Sequence, residues 1–370
     1  MSEVKFKLAA GTNVGLIRQN NEDNFVVCSD LCLSNWIIPQ VGDYVDLGQY
    51  GALLVVADGM GGANAGEVAS AIAVDTIQSL FVPEQIEKSI ASDKSIQEFM
   101  KSVVKSADLN ILHRSQEDSS TLGMGTTVVM AWIINGKAFV CWCGDSRCYV
   151  LNKRNGLIQL SKDHSYVQEL VDKGELDPEL MHDHPLSNVI TRCLGDVDNR
   201  ANPETRVYQL HNDDIIMLCS DGLCGLCHDG EILDVMIKFH EDPISLKNEL
   251  ISAALSAGGY DNVTVAIANI QTDEEEDSEE VTNDDEKAGE DSAEDKNEEE
   301  LSTTIRNEAI DNHSGKHVFS HTLMVLLILL LILLIAIGAY FYYTMGGELF
   351  KKEMSAIIGN ILSKIKQVLK

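Results

Sequence analysis

Four acidic groups stand where apolar runs begin or end. Leu53-Leu54-Val55-Val56-Ala57 runs straight into Asp58, followed by three glycines within four residues, Gly59, Gly61 and Gly62. Ile215–Cys219 leads through Ser220 into Asp221-Gly222, and Asp261-Asn262 directly precedes the run Val263–Ile270. Near the amino terminus, Arg18 precedes Glu22-Asp23, which open onto Phe25-Val26-Val27. A carboxylate at the end of a buried strand carries a large desolvation penalty unless something pairs with it. A metal ion supplies that partner, and glycine lets backbone and solvent come close to it. Taken singly, each group reads as an ordinary turn. Taken together, four acidic clusters at strand ends can converge on one edge of a sheet pair. Oxygen ligands without convincing histidine or thiolate partners select hard cations, Mg2+ or Mn2+.

The elements that must position these groups follow from periodicity. Strand-like runs cover Leu53–Ala57, Thr126–Ile134, Lys137–Cys143, Ile215–Cys219 and Val263–Ile270, and Asn135-Gly136 between the second and third is a two-residue hairpin signal. Helical spacing covers Asn64–Leu80, Ile96–Leu112, a run after Asp163 that ends near Gly174, and Leu246–Leu255. Hairpins mixed with separate helices predict a layered α+β fold rather than a doubly wound parallel sheet.

The chain has 370 residues and a net charge of −30, which excludes nucleic acid as a partner. Half of that excess lies between Asp273 and Glu300, where 17 acidic residues face two lysines. Such a block cannot bury a core and reads as a self-repelling, disordered spacer. Leu323–Tyr343 then gives 21 residues without a charge, long enough to span a hydrocarbon core of about 30 Å, with Tyr340, Tyr342 and Tyr343 at one end. In Lys351–Lys370, Ile357, Ile358, Ile361, Leu362, Ile365 and Leu369 keep helical spacing beside lysines, as in a basic amphipathic helix on an anionic membrane surface. The expected organisation is a globular domain over 1–271, an acidic linker over 272–318, a transmembrane helix over 321–343 and a basic tail over 344–370. Nine cysteines and no apolar leader at Met1–Ala10 predict free thiols and a cytoplasmic globular domain on a single-pass anchor. The lysines of the tail favour the cytoplasmic side as well, but a late-inserting anchor leaves the preceding domain behind. Cys141/Cys143 and Cys224/Cys227 beside His228 have no second pair at zinc-finger spacing, so no zinc site is expected there.

The order of motifs resembles the metal-dependent protein phosphatase family, also called PPM or type 2C serine/threonine phosphatases, in its bacterial branch. The matching elements are Arg18-x-x-Asn21-Glu22-Asp23, Ala57-Asp58-Gly59-Met60-Gly61-Gly62, Gly123-Met124-Gly125-Thr126-Thr127 and Gly144-Asp145-Ser146-Arg147. They continue with Asp163-His164-Ser165, Asn188–Gly195, Ser220-Asp221-Gly222-Leu223 and Asp261-Asn262-Val263-Thr264, so the resemblance covers residues 5 to 271.

The resemblance implies a four-layer αββα sandwich of two antiparallel sheets flanked by helices, with two Mn2+ or Mg2+ ions at one end. Asp58 would bridge both ions, the Gly59 carbonyl would take one, Asp221 and Asp261 would hold the second, and Glu22 and Asp23 would act directly or through water. Arg18 would grip the substrate phosphate, a task suited to a bidentate guanidinium. Water activated as hydroxide by the ion pair would then attack phosphorus in line, which makes Asp58 and Arg18 the catalytic pair. Met60 stands where many eukaryotic members carry a histidine acid. A third ion can be recruited in the family, and Asp118 and Glu117 are loose candidates for it. Gly174–Ser187 resembles a mobile flap beside the channel, and its His182 and His184 read as polar loop residues. The implied substrates are phosphoserine and phosphothreonine proteins, with a cognate serine/threonine kinase and membrane lipid as further partners. The alternatives are a catalytically silent binding or sensor module of the same fold and a hydrolase of small phosphomonoesters.

Overall fold

In β4 (Ala52–Met60) the residues Ala52, Leu54 and Val56 face one way and Leu53, Val55 and Ala57 the other, and all six are buried. A strand covered on both faces needs no polar alternation, which is why this segment reads as a continuous apolar run. The computed structural model describes residues 4–36, 44–61 and 65–272. The expected anchor over 321–343 and tail over 344–370 lie outside the described residues, as does the linker beyond Thr272. Among the described residues no helix is long and apolar enough to cross a membrane.

Two antiparallel sheets make the frame. The first contains β1 (Val4–Asn13), β3 (Val45–Asp46), β8 (Arg147–Asn152), β9 (Gly156–Gln159), β11 (Ile215–Cys219) and β12 (Val263–Thr272), in the spatial order β3-β1-β12-β11-β8-β9. The second runs β10-β7-β6-β4-β2, with β2 at Asp23–Cys28, β6 at Val128–Ile134, β7 at Lys137–Cys143 and β10 at Glu204–Gln209. Between them lies one apolar layer, to which Leu54, Val56, Val129 and Val140 contribute from the second sheet and Phe6, Leu218, Ala266 and Ala268 from the first.

Helices close the outer faces. α1 (Gly66–Leu80), α2 (Pro83–Ser89) and α3 (Asp93–Glu117) cover the second sheet, burying Ala73, Ile77, Met100 and Val104 against Val55, Met130 and Trp132. Ser92 caps α3 by accepting from Ser95 N. On the first sheet, α6 (Asp229–Lys238) and α7 (Pro243–Ser256) pack Ile232, Met236, Leu246 and Leu250 against Met217 and Val265. α7 begins with Asp242 as cap and Pro243 in its first turn, where the missing N–H is harmless. Two short helices, α4 (Tyr166–Asp172) and α5 (Asp221–Cys224), stand near the end of the sandwich that carries the acidic groups.

Asn135 and Gly136 both take positive φ, +54° and +74°, as the β6–β7 hairpin requires. The expected strand over Thr126–Ile134 is divided, because β5 (Gly125–Thr126) pairs with Gly59 and Met60 before β6 begins. The reason is local: Thr127 donates its N–H to the Asp58 carbonyl at 2.8 Å, which turns the chain at the site. The helix expected from Asn64 is described from Gly66 onward.

Trp132 joins the second sheet to its helices, with Phe81 edge-on at 5.1 Å, Phe99 at 6.0 Å and Nε1 donating to the Tyr50 carbonyl. Trp132→Ala is expected to cost about 3–5 kcal/mol, read as a lower midpoint in urea unfolding followed by circular dichroism.

Candidate active site

The alternation that buries Ala52, Leu54 and Val56 between the sheets also aims Asp58 into that layer where the layer meets solvent. Its partner across the β2–β4 ladder is Asp23, directly opposite in register. Like charges opposed in this way destabilise a sheet, so the pair marks a site rather than a stabilising contact. Asp23 is 8% exposed, and its Oδ2 accepts from Thr264 Oγ1 at 2.6 Å and Ser220 Oγ at 2.8 Å. These two hydroxyls come from β12 and the end of β11, so Asp23 ties the second sheet to the first. The other oxygen, Asp23 Oδ1, is buried with no hydrogen-bond partner among the described residues.

Backbone contacts hold the remaining acids in place. Thr126 Oγ1 donates to the Asp58 carbonyl, and Thr127 Oγ1 accepts from Asp58 N while bonding Ser146 Oγ. Asn262 is 4% exposed and acts as a clamp: Nδ2 donates to the carbonyls of Val14 and Asn20, and Oδ1 accepts from Glu22 N at 2.8 Å. That clamp sets the loop carrying Arg18 and Glu22 beside Asp261. A Cβ on Gly59 would lie 2.2 Å from the Gly66 carbonyl, and one on Gly222 would lie 1.9 Å from the Asn262 carbonyl. Both glycines are therefore required by close backbone approach.

The result is an open cavity of about 450 Å³ lined by Arg18, Glu22, Asp58, Gly59, Met60, Gly61, Thr127, Asp145, Asn188, Ile190, Asp221 and Asp261. Of the seven residues read from the sequence as site residues, six line it: Arg18, Glu22, Asp58, Gly59, Asp221 and Asp261. Asp23 stands behind the wall. Among the described residues Arg18 is the one cation in the lining, and its Nη2 donates to Asp261 Oδ2 at 2.8 Å. Asp145 is the acid that strand-end reasoning did not single out. Its signal was present, since Gly144-Asp145 follows the apolar run of β7 much as Asp58 ends β4. By contrast, Asp118 turns away: its Oδ1 accepts from Ser120 N and Oγ while Oδ2 pairs with Arg114. Neither it nor Glu117 reaches the cavity lining.

Crowding shapes the electrostatics. Burial, followed by the charges of Asp221 and Asp23, raises the Asp58 carboxyl well above the ordinary range. Burial, then Asp221 and Asp163, does the same to Asp145. Asp221 is raised by burial although Asp58 shares a hydrogen bond with it, and Glu22 is raised by burial against the pull of Arg18. Burial pushes Asp23 up to about 7, against the hydroxyls that favour its anion. An all-oxygen donor set, an unpartnered buried carboxylate oxygen and one guanidinium against several acids fit hard divalent cations.

A second acid–base network lies beside the cavity. Arg147 donates through Nε and Nη2 to Asp163 at 2.7–3.0 Å and through Nη1 to Tyr149 Oη, which in turn donates to Asp229. His164 Nδ1 accepts from Gly144 N at 3.1 Å and so fixes the loop of Asp145. Within the segment Gly174–Ser187, Met181, His182 and Ser187 line a small cleft with Asp145, Arg147 and Asp221. His184 accepts from Leu186 N as a loop residue, whereas the His182 ring lies against His228, 3.8 Å between centroids.

The chain is similar to known proteins. The family model described as protein phosphatase 2C matches residues 42–255. The serine/threonine phosphatase stp of Listeria welshimeri is 34% identical over 263 residues, covering 69% of this chain and 92% of the relative. Protein phosphatase PhpP of Streptococcus pneumoniae is 33% identical over 269 residues, covering 72% and 98%. Among solved structures, the catalytic domain of serine/threonine protein phosphatase PstP in complex with two manganese ions superposes with a TM-score of 0.58 at 29% identity, covering 72% of this chain and 99% of that one.

Carboxyls raised on folding link stability to pH. The folded chain then holds more protons than the unfolded one between the ordinary value near 4 and the raised value near 7 for Asp23, so stability falls as pH rises through that window. The thermal midpoint of metal-free protein is expected to be lower at pH 8 than at pH 5.5, and saturating Mn2+ should abolish the difference. An unchanged midpoint across that range without metal would contradict the crowding described above.

Proposed function

Because the chain belongs to the protein phosphatase 2C family of serine/threonine phosphatases, we propose that it hydrolyses phosphoserine and phosphothreonine in proteins with two divalent cations, Mn2+ or Mg2+, at the carboxylate cavity. The observation that carries this reading is the convergence of Asp58, Asp221, Asp261 and the Gly59 backbone with Arg18 around one open cavity. Asp58 and Asp221, which line the same cavity, would hold the cations, with Gly59, Glu22 and Asp261 completing the oxygen set. When bound, the ions supply Lewis acidity that lowers the pKa of a water and neutralises phosphate charge.

The chain's own residues do the rest. Arg18 uses one N–H on Asp261 and keeps the other face of its fork for the phosphate, stabilising charge on the equatorial oxygens as the water oxygen bonds to phosphorus and the seryl or threonyl oxygen leaves. Asp261 holds the guanidinium in that attitude. Met60 has no proton to give, so the leaving oxygen takes its proton from solvent entering the open cavity or from another residue of its lining. Asp145, beside Asp221, is the acid placed to take a third ion if one is recruited.

A protein substrate is favoured over a small phosphomonoester by the rim. Leu16 and Ile17, just before Arg18, are 65% and 64% exposed, and Tyr260, just before Asp261, is 62% exposed. Leu16 N donates to the Gly259 carbonyl, which brings these apolar side chains to one side of the cavity. An exposed apolar patch there suits a peptide flanking the phosphate. A silent sensor module is disfavoured by the completeness of the acidic set. A kinase of matching specificity must install the phosphate that is removed. The run Leu323–Tyr343 would hold the enzyme at a membrane with its catalytic domain in the cytoplasm, and the lysine-rich tail would lie on lipid.

Phosphothreonine peptides should be turned over with Mn2+ and not in EDTA, and sugar phosphates much more slowly. Asp58→Asn should reduce turnover to background while leaving the circular dichroism spectrum unchanged, and Arg18→Ala should lower kcat/KM by about 10²–10³-fold. Equal turnover in EDTA would sink the metal reading. Deleting residues 321–370 should move the protein from the membrane fraction to the supernatant, and protease treatment of intact cells reports the side on which the tail lies.

A further inference from the structure

His182 and His228 are 46 positions apart in the chain, yet their rings stack at 3.8 Å with a 31° tilt. Asp183 completes a group whose ligand atoms, one from each of the three residues, all lie within 4.8 Å of one another. His182 Nδ1 is 3.4 Å from Asp183 Oδ1, while its Nε2 is buried with no hydrogen-bond partner among the described residues. A buried ring nitrogen without a partner costs stability. That cost is relieved when a cation takes the nitrogen, with the two rings turning out of their stacked setting so that their in-plane lone pairs converge on it.

We propose that His182, Asp183 and His228 bind a borderline transition-metal ion, Zn2+ above all, at a site separate from the carboxylate cavity. Two imidazoles and one carboxylate form a donor set that zinc accepts at about 2.0–2.2 Å, with water in the fourth position. The same set is poor for Mg2+, which takes oxygen ligands. The two centres therefore differ in chemistry: oxygen donors at Asp58 and Asp221, nitrogen donors here.

The position gives the site a consequence. His228 immediately precedes α6, where its N–H donates to Glu231 Oε2 and so belongs to a fixed helix start. His182 belongs to the Gly174–Ser187 segment and lines the small cleft that also touches Asp145 and Asp221. An ion shared by the two histidines fastens that segment to the body of the domain next to the cavity mouth. Zinc would thereby restrain the segment without displacing the catalytic ions, whatever substrate the cavity accepts.

The test uses the full chain dialysed against Zn2+ in the presence of excess Mg2+, with bound zinc counted by mass spectrometry. Wild type should retain one zinc per chain more than His228→Ala or His182→Ala, and His184→Ala should match wild type. Amide hydrogen exchange across 174–187 should slow on adding zinc to wild type and remain unchanged in His228→Ala. Asp183→Asn, an exposed change that leaves both rings in place, should weaken retention and guards against a histidine variant that misfolds. Equal zinc in wild type, both histidine variants and Asp183→Asn would overturn the proposal, as would loss of the ion in His184→Ala.

Discussion

Mutual repulsion among carboxylates is the constraint around which this fold is organised. Asp58, Asp145 and Asp221 share one cavity, and Asp23 stands opposite Asp58 one strand away. Left alone, such a group would push the two sheets apart at that end or take up protons, as the raised carboxyls do. The surrounding residues respond by holding backbones. Thr126 and Thr127 fix the peptide at Asp58, and Asn262 fixes the loop of Arg18 and Glu22. These contacts leave carboxylate oxygens facing the cavity, where a cation can use them.

The cation of the neighbouring network has a different task. Arg147 is held by three hydrogen bonds to Asp163 and one to Tyr149, a geometry that a single point charge could not satisfy. It lies two residues beyond Asp145, so its rigidity is passed to that acid through a short, fully buried stretch at Ser146. Removing one partner of such a pair leaves an uncompensated buried charge, which is more damaging than never having had the pair. The Arg147–Asp163 contact is thus best understood as positioning, whereas the Arg18–Asp261 pair is half-exposed and free to engage a ligand.

Much of this is legible in the amino-acid sequence. Strands buried on both faces leave continuous apolar runs, so β4, β7, β11 and β12 were legible, and the hairpin at Asn135-Gly136 followed from its turn chemistry. The weaker strands were not: β9 and β10 are half-buried, with polar residues such as Gln159, Thr205 and Arg206 interrupting any run. α6 was missed because its apolar face is narrow, with Ile232 and Met236 its buried residues. At the site, acids that end apolar strands were visible, while the depth of Asp23 was not, because depth depends on which hydroxyls another sheet brings to it. The meeting of His182 with His228 was hidden for the same reason. The two histidines stand 46 positions apart in the sequence, and the packing of a loop on the start of α6 brings the rings together.

Asp23 shows why the site is built for charge rather than for stability. Its Oδ2 is doubly satisfied by Thr264 and Ser220, one hydroxyl from each of two neighbouring strands' ends, and this bond would be as well served by an asparagine oxygen. Its Oδ1, however, is buried and without a partner among the described residues, a state that costs about 1–3 kcal/mol. An asparagine would put its two N–H donors there and would carry no charge toward Asp58. An aspartate adds a second negative charge directly across the ladder, which raises the cost of leaving the cavity without cations and so strengthens their binding when they arrive. The strain on the metal-free fold and the affinity of the loaded site are then one and the same interaction.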